Sequence, residues 1–209
     1  MASAFGDPNE FQIERARAIN MYASLEASMA GLFATLMSAD SRKSHFVFSR
    51  LISPRSKREV LTKLIELNYG DAYDKFFKSL IKRVSELDGP RNRIVHWIAK
   101  SILSGDKRFA PPNDHFLTEH PDIFGDTRMF LAEMAAFRER ADFLQQLIFY
   151  FDQHLKMGRA DAVPGPAWPQ IFQQQCSYPP PTDHPLVLMH RKPKDPPEPC
   201  PGSAPVRQN

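Results

Sequence analysis

The residues best suited to chemistry stand together at Arg91-Asn92-Arg93-Ile94-Val95-His96. Histidine exchanges a proton near neutral pH, so His96 can serve as acid or base. A guanidinium grips phosphate at two points, a role open to Arg91, and the amide of Asn92 can orient an imidazole or a ribose hydroxyl. These types suit cleavage of RNA by its own 2′-hydroxyl. A base takes the hydroxyl proton, an acid protonates the leaving 5′-oxygen, and a cation offsets the charge on the phosphorane. One imidazole cannot fill both proton roles in a single step, so the chemistry predicts two copies of the motif facing each other in a homodimer.

Helix geometry tests the spacing. Asn92 and His96 are four residues apart and fall within about 40° of each other, on one face. Arg91 and His96 are about 140° apart, so they converge only if Arg91 sits in a frayed first turn. Gly89-Pro90 is expected to supply that turn, and an open helix N-terminus there would favour a phosphate. Arg93 points about 200° from Arg91 and takes no role.

A second cluster is electrostatic. Arg42, Lys43, Arg50, Arg55, Lys57 and Arg58 stand in a stretch with no acid and with Phe46 and Phe48 among them. Cations interleaved with aromatics can follow a phosphate backbone and stack bases, so these six are the expected RNA-binding residues. Lys75, Lys78 and Lys82 make a further basic face. Glu26 is isolated in an apolar stretch and is expected to meet a cation, with Arg91 as one candidate. Of the seven histidines, His154 falls at a helix end, where a cation is favoured. His115 and His120, near Asp114, Glu119 and Asp122, have metal-ligating types, though a solvated loop is the commoner reading of such a segment. No H-E-x-x-H, glycine-rich phosphate loop or nucleophile elbow occurs. No metal and no cofactor are expected.

The elements that must position these residues read as helices. Ala18, Tyr22, Leu25, Met29, Leu32 and Leu36 recur at alternating four and three spacing, which predicts a helix from about residue 8 to 38. Phe130, Met134, Phe137, Ala141, Leu144, Ile148, Phe151 and Leu155 do the same within a helix over 127–156. Each stripe suits an intramolecular core or, less often, a dimer seam. Shorter helices are expected at 41–52, from Pro54 to about Asn68, from Asp71 to Leu87, and from Arg91 to about Leu103. A long surface connection covers 105–125.

Proline divides the chain, with 6 among the first 163 residues and 13 among the last 46. The sequence therefore predicts a helical domain over 1–163 and an extended tail over 164–209, docked early through Trp168, Ile171 and Phe172 and disordered late. The whole has 209 residues, 42% hydrophobic and 24% charged, with a net charge of +3. That is enough for one core, and too little charge to announce a nucleic-acid binder alone. No apolar run of membrane-spanning length is present, and Asp7, Glu10, Glu14 and Glu26 argue against a signal peptide. Cys176 and Cys200 form no zinc or disulfide pattern. A cytoplasmic protein with no membrane partner is expected.

Arg91-Asn92-x-x-x-His96, with an apolar pair before the histidine and Trp97 after it, resembles the signature of HEPN domains. A broader likeness to uncharacterised bacterial proteins runs through Ile94-Val95-His96-Trp97, Pro111-Pro112-Asn113, and Ile171-Phe172-Gln173-Gln174 ahead of Tyr178-Pro179-Pro180-Pro181. The resemblance implies an all-α HEPN-like bundle and a metal-independent endoribonuclease acting as a homodimer in a prokaryotic defence or toxin-antitoxin setting. It also implies catalytic roles for Arg91, Asn92 and His96, RNA and not DNA as partner, and an antitoxin or operon partner protein. Some HEPN members only bind, so a non-catalytic interaction or RNA-binding module is the alternative.

Overall fold

A computed structural model describes residues 8–96, 98–101, 107–110, 131–157 and 168–190. Two long helices form its axis: α1, Pro8–Leu36, and α6, Leu131–Met157. They pack along each other because both apolar stripes turn inward. Ala18, Leu25 and Leu32 on one, and Met134, Ala141, Leu144 and Phe151 on the other, are fully excluded from solvent. The stripes are thus spent within one chain, and neither is a dimer seam. Phe130, predicted to continue the second stripe, lies outside the described residues.

Between the two run α2, Ser41–Arg50; α3, Pro54–Tyr69; α4, Asp74–Ser85; and α5, Asp88–His96. Their ends follow local chemistry. Asp40 caps α2 by accepting the amide of Lys43 at 3.0 Å, and Ser53 caps α3 ahead of Pro54 in its first turn. Gly70, at a φ of 61°, closes α3 in a conformation that costs a side-chain-bearing residue more. Helix α2 is anchored by Phe48 against Phe33 of α1, with ring centroids 5.3 Å apart. On α4, Phe76 and Phe77 meet Phe151 of α6.

Two expectations are corrected. The motif helix ends at His96 instead of continuing to about Leu103. Strand β1, Ile98–Ser101, follows and pairs antiparallel with β2, Lys107–Ala110, in the register Ile98 with Ala110 and Ser101 with Lys107. A run of four residues is too short for hydrophobic period to separate helix from strand. The proline-rich segment is likewise not wholly extended. Within it are two short helices, α7, Trp168–Ile171, and α8, Pro185–His190. Pro169 and Pro185 fall in first turns, where the missing N–H costs no hydrogen bond.

Residues 168–190 lie against the body. Trp168 stacks on Tyr150 with centroids 4.3 Å apart, and Phe172 sits between Phe76 and Phe151. The amide of Cys176 donates to the Ser79 hydroxyl at 2.8 Å, and the Arg140 guanidinium lies over the ring of Tyr178. Arg140 and Arg83 both pair with Glu86. Hydrogen bonding from Arg140, with help from Arg83, holds the Glu86 carboxyl below its usual range against the opposing effect of burial.

Candidate functional site

The motif helix α5 is held from beneath by three contacts to distant parts of the chain. At its start, Arg58 of α3 makes a two-point ion pair with Asp88, at 3.1 and 2.8 Å. The hydroxyl of Tyr22 donates to the same carboxylate at 3.3 Å. Burial, and the carboxylates of Asp88 and Glu26, push the Tyr22 hydroxyl well above its usual range, so it remains a proton donor. At the other end Arg15 of α1 reaches the last turn of the helix. Its Nε donates to the carbonyl of Ile94 and its Nη2 to that of Val95, each at 3.0 Å. Those carbonyls belong to the turn where a helix leaves its acceptors unsatisfied and carries partial negative charge, so a cation there is favoured. Ile94 itself is buried and keys the helix into the core.

On this support the three motif side chains face outward to different degrees. Asn92 and His96 are exposed on one face, as their spacing requires, and Arg91 is half-buried. Arg91 donates through Nη1 to Oδ1 of Asn92 at 3.2 Å, and its guanidinium lies 5.6 Å from the centre of the Tyr22 ring. Asp88, one turn earlier, is the nearest sequence acid that could neutralise it, but Arg58 takes that carboxylate. Among the described residues no carboxylate forms an ion pair with Arg91.

Three expectations about the motif need correction. Helix α5 begins at Asp88, and the amide of Arg91 already donates to the carbonyl of Leu87 at 2.9 Å, so Arg91 sits in regular helix and not in a frayed turn. Within one protomer, Arg91 and His96 therefore stay on separate faces. The helix start is not an open anion site either, because the Asp88 carboxylate occupies the first turn and Pro90 has no N–H. Finally, Glu26 meets Lys57 at 2.9 Å and not Arg91.

The chain matches no protein-family model, no curated protein and no solved structure.

The six residues expected to bind RNA divide into two groups. Arg58 is buried against Asp88, and Lys57 is tied to Glu26 with its ammonium 5.5 Å from the Phe48 ring. Both are structural, and their heads are directed into the fold. Arg42, Lys43, Arg50 and Arg55 are exposed, with Arg55 paired to Glu59 at 2.7 Å. Their distance from the motif can be read along α1. Arg15 touches the end of α5, Tyr22 its start, Glu26 meets α3, and Phe33 meets α2. Arg15 and Phe33 are about 27 Å apart at a rise of about 1.5 Å per residue. Tyr22, beside Arg91, is only about 16 Å from Phe33 on the same count, so the basic surface of α2 stands toward one end of α1 and the motif runs from its middle to the other end.

Of the remaining histidines and cysteines, His45 and His190 are exposed, and the others serve the core or lie outside the described residues. His154 shares a 3.0 Å hydrogen bond with the Tyr73 hydroxyl, and burial lowers its pKa, which reverses the expectation of a charged helix end. Burial raises the Cys176 thiol to about 11, so it stays protonated and unreactive. His115, His120 and Cys200 lie outside the described residues. Among the described residues no group of three or more histidine, cysteine or acidic side chains is placed to hold a metal ion. None of the described helices is long and apolar enough to cross a membrane.

Arg15, Tyr22 and Asp88 are the site residues that sequence reasoning did not single out. Tyr22 had been assigned to the apolar stripe, which is correct for its ring and silent about its hydroxyl. The contacts of Arg15 with α5 carry no local signal, since they are made to backbone carbonyls some 80 residues away.

Proposed function

We propose that the protein is a metal-independent endoribonuclease of the HEPN type, working as a homodimer through Arg91, Asn92 and His96. The observation that carries this reading is the state of Arg91. Its charge is left unneutralised because Arg58 satisfies Asp88, while Asn92 holds it beside the face that exposes His96. A cation kept free of carboxylates, on the helix that exposes the imidazole, suits a scissile phosphate.

In this reaction one His96 takes the proton of a ribose 2′-hydroxyl, and the oxygen attacks the adjacent phosphorus. The bond from phosphorus to the 5′-oxygen breaks, and a second imidazole delivers a proton to that oxygen. The products are a 2′,3′-cyclic phosphate and a 5′-hydroxyl. The separation of Arg91 from His96 around α5 favours a second protomer, whose motif would complete the set. Ile19, one turn along α1 from Arg15, is exposed and offers apolar area for such a contact.

Purified wild-type protein and His96→Ala are incubated with mixed cellular RNA in EDTA, after circular dichroism shows equal folding. Wild type should cut the RNA to cyclic-phosphate ends, and the substitution should slow cleavage by at least about a hundredfold. Equal cleavage by both proteins, or none by the wild type, would overturn the proposal.

A further inference from the structure

The surface at the far end of α1 has a composition that the nuclease reading does not use. On α2, Lys43, Phe46, Val47 and Arg50 follow three- and four-residue spacing and form one outward stripe, opposite the buried Ser44 and Phe48. Phe46 is 61% exposed, Val47 51%, and Ile52, in the turn into α3, 95%. Around them stand Arg42, Lys43, Arg50 and Arg55. No acid occurs between Ser41 and Arg58. Asp40, just before the stretch, is engaged as the cap of α2, and Glu59, just after it, is engaged by Arg55. Among the described residues, Arg42, Lys43 and Arg50 have no ion-pair partner.

We propose that this face docks on the surface of an anionic phospholipid bilayer. Three protruding apolar side chains ringed by cations match the boundary between acyl chains and headgroups, where apolar groups insert while lysine and arginine meet phosphate. The chemistry separates this occupant from its competitors. Valine and isoleucine have no planar face on which a base can stack, and the Phe46 ring already carries the Arg50 guanidinium 4.9 Å from its centre. A second copy seated on the same patch would bring two sets of unpaired cations together. The anchoring of α2 through Phe48 presents the stripe on a fixed element.

The test is flotation of the full chain with vesicles of phosphatidylcholine alone or mixed with phosphatidylglycerol, at low and high salt. Binding is expected only to the mixed vesicles and should weaken with salt. Phe46→Ser with Ile52→Ser, both at exposed positions, should reduce partitioning about tenfold with unchanged circular dichroism. Arg42→Gln with Lys43→Gln should reduce it about thirtyfold. No preference for the anionic vesicles would overturn the proposal. So would vesicle binding indifferent to the apolar substitutions, with short RNA competing through the same cations, which would make the face an RNA track.

Discussion

At the scale of single residues, two histidines carry a pH dependence whose sign follows from their surroundings. His184 is buried, and its Nδ1 accepts the amide of Leu186 at 3.2 Å, so a proton arriving there would break the bond. Burial lowers its pKa, with Asp183 opposing. His154 is shifted the same way by burial among Tyr73 and Phe172. Both are therefore neutral in the fold at pH values where the unfolded chain, near the usual 6.5, binds a proton. Their contribution to stability is complete above 6.5 and is lost as pH falls toward the lowered values. Glu86 acts in a separate window, because its depressed carboxyl sustains stability until pH drops below the usual 4.5. Urea midpoints measured against pH should begin to fall as pH drops below about 6.5, and His154→Gln combined with His184→Gln should flatten that first decline while keeping the loss below the usual 4.5 of a carboxyl such as Glu86. An unchanged slope in the double substitution would show that other groups titrate there. Little of this was legible beforehand. His154 at a helix end predicts a favoured charge from local position, and only the packing of residues 168–190 over it makes the neutral form the stable one.

At the scale of elements, the long helices were readable because each fills its buried face with one uninterrupted period, from Ala18 to Leu36 and from Met134 to Ile148. The start of α3 at Pro54 was readable as well, being local in sequence. Short elements were not. Strands β1 and β2 and helices α7 and α8 each span six residues or fewer, so their state is decided by pairing or docking and not by their own pattern. The support of α5 belongs with them, since Arg58, Tyr22 and Arg15 reach it from other helices and no spacing predicts that. It is also testable. Arg15→Ala removes two charge-assisted bonds to the last turn of α5, at a cost of about 1–3 kcal/mol given that the contact is partly buried. Hydrogen exchange should quicken at the amides of α5 while those of α1 and α6 keep their protection. Uniform acceleration across all three helices would mean that Arg15 supports the core at large. On the nuclease reading, the same variant should also lose cleavage without losing its fold, since Arg15 positions His96 and touches no substrate.

At the scale of the whole molecule, the placement of groups along α1 divides the basic stretch that the sequence predicts as one RNA-binding cluster. The basic run of 42–58 looked continuous because sequence does not reveal that Lys57 and Arg58 turn inward to Glu26 and Asp88. Folding divides that run, leaving the α2 face toward one end of α1 and the motif along its middle and other end. The motif is itself divided, because α5 holds Arg91 and His96 on different faces. If a second protomer completes the set, with two imidazoles sharing acid and base roles, activity must depend on how subunits pair. Mixing wild-type protein with increasing His96→Ala, under conditions that let subunits exchange, should then make total cleavage fall as the square of the wild-type fraction, so an equal mixture keeps about half the activity per wild-type subunit. The alternative gives a different curve. If each protomer works alone, activity per wild-type subunit stays constant across the titration, and if one His96 suffices for a shared site it rises as the substituted protein is added. The shape of that curve decides whether two imidazoles from partner subunits share one reaction.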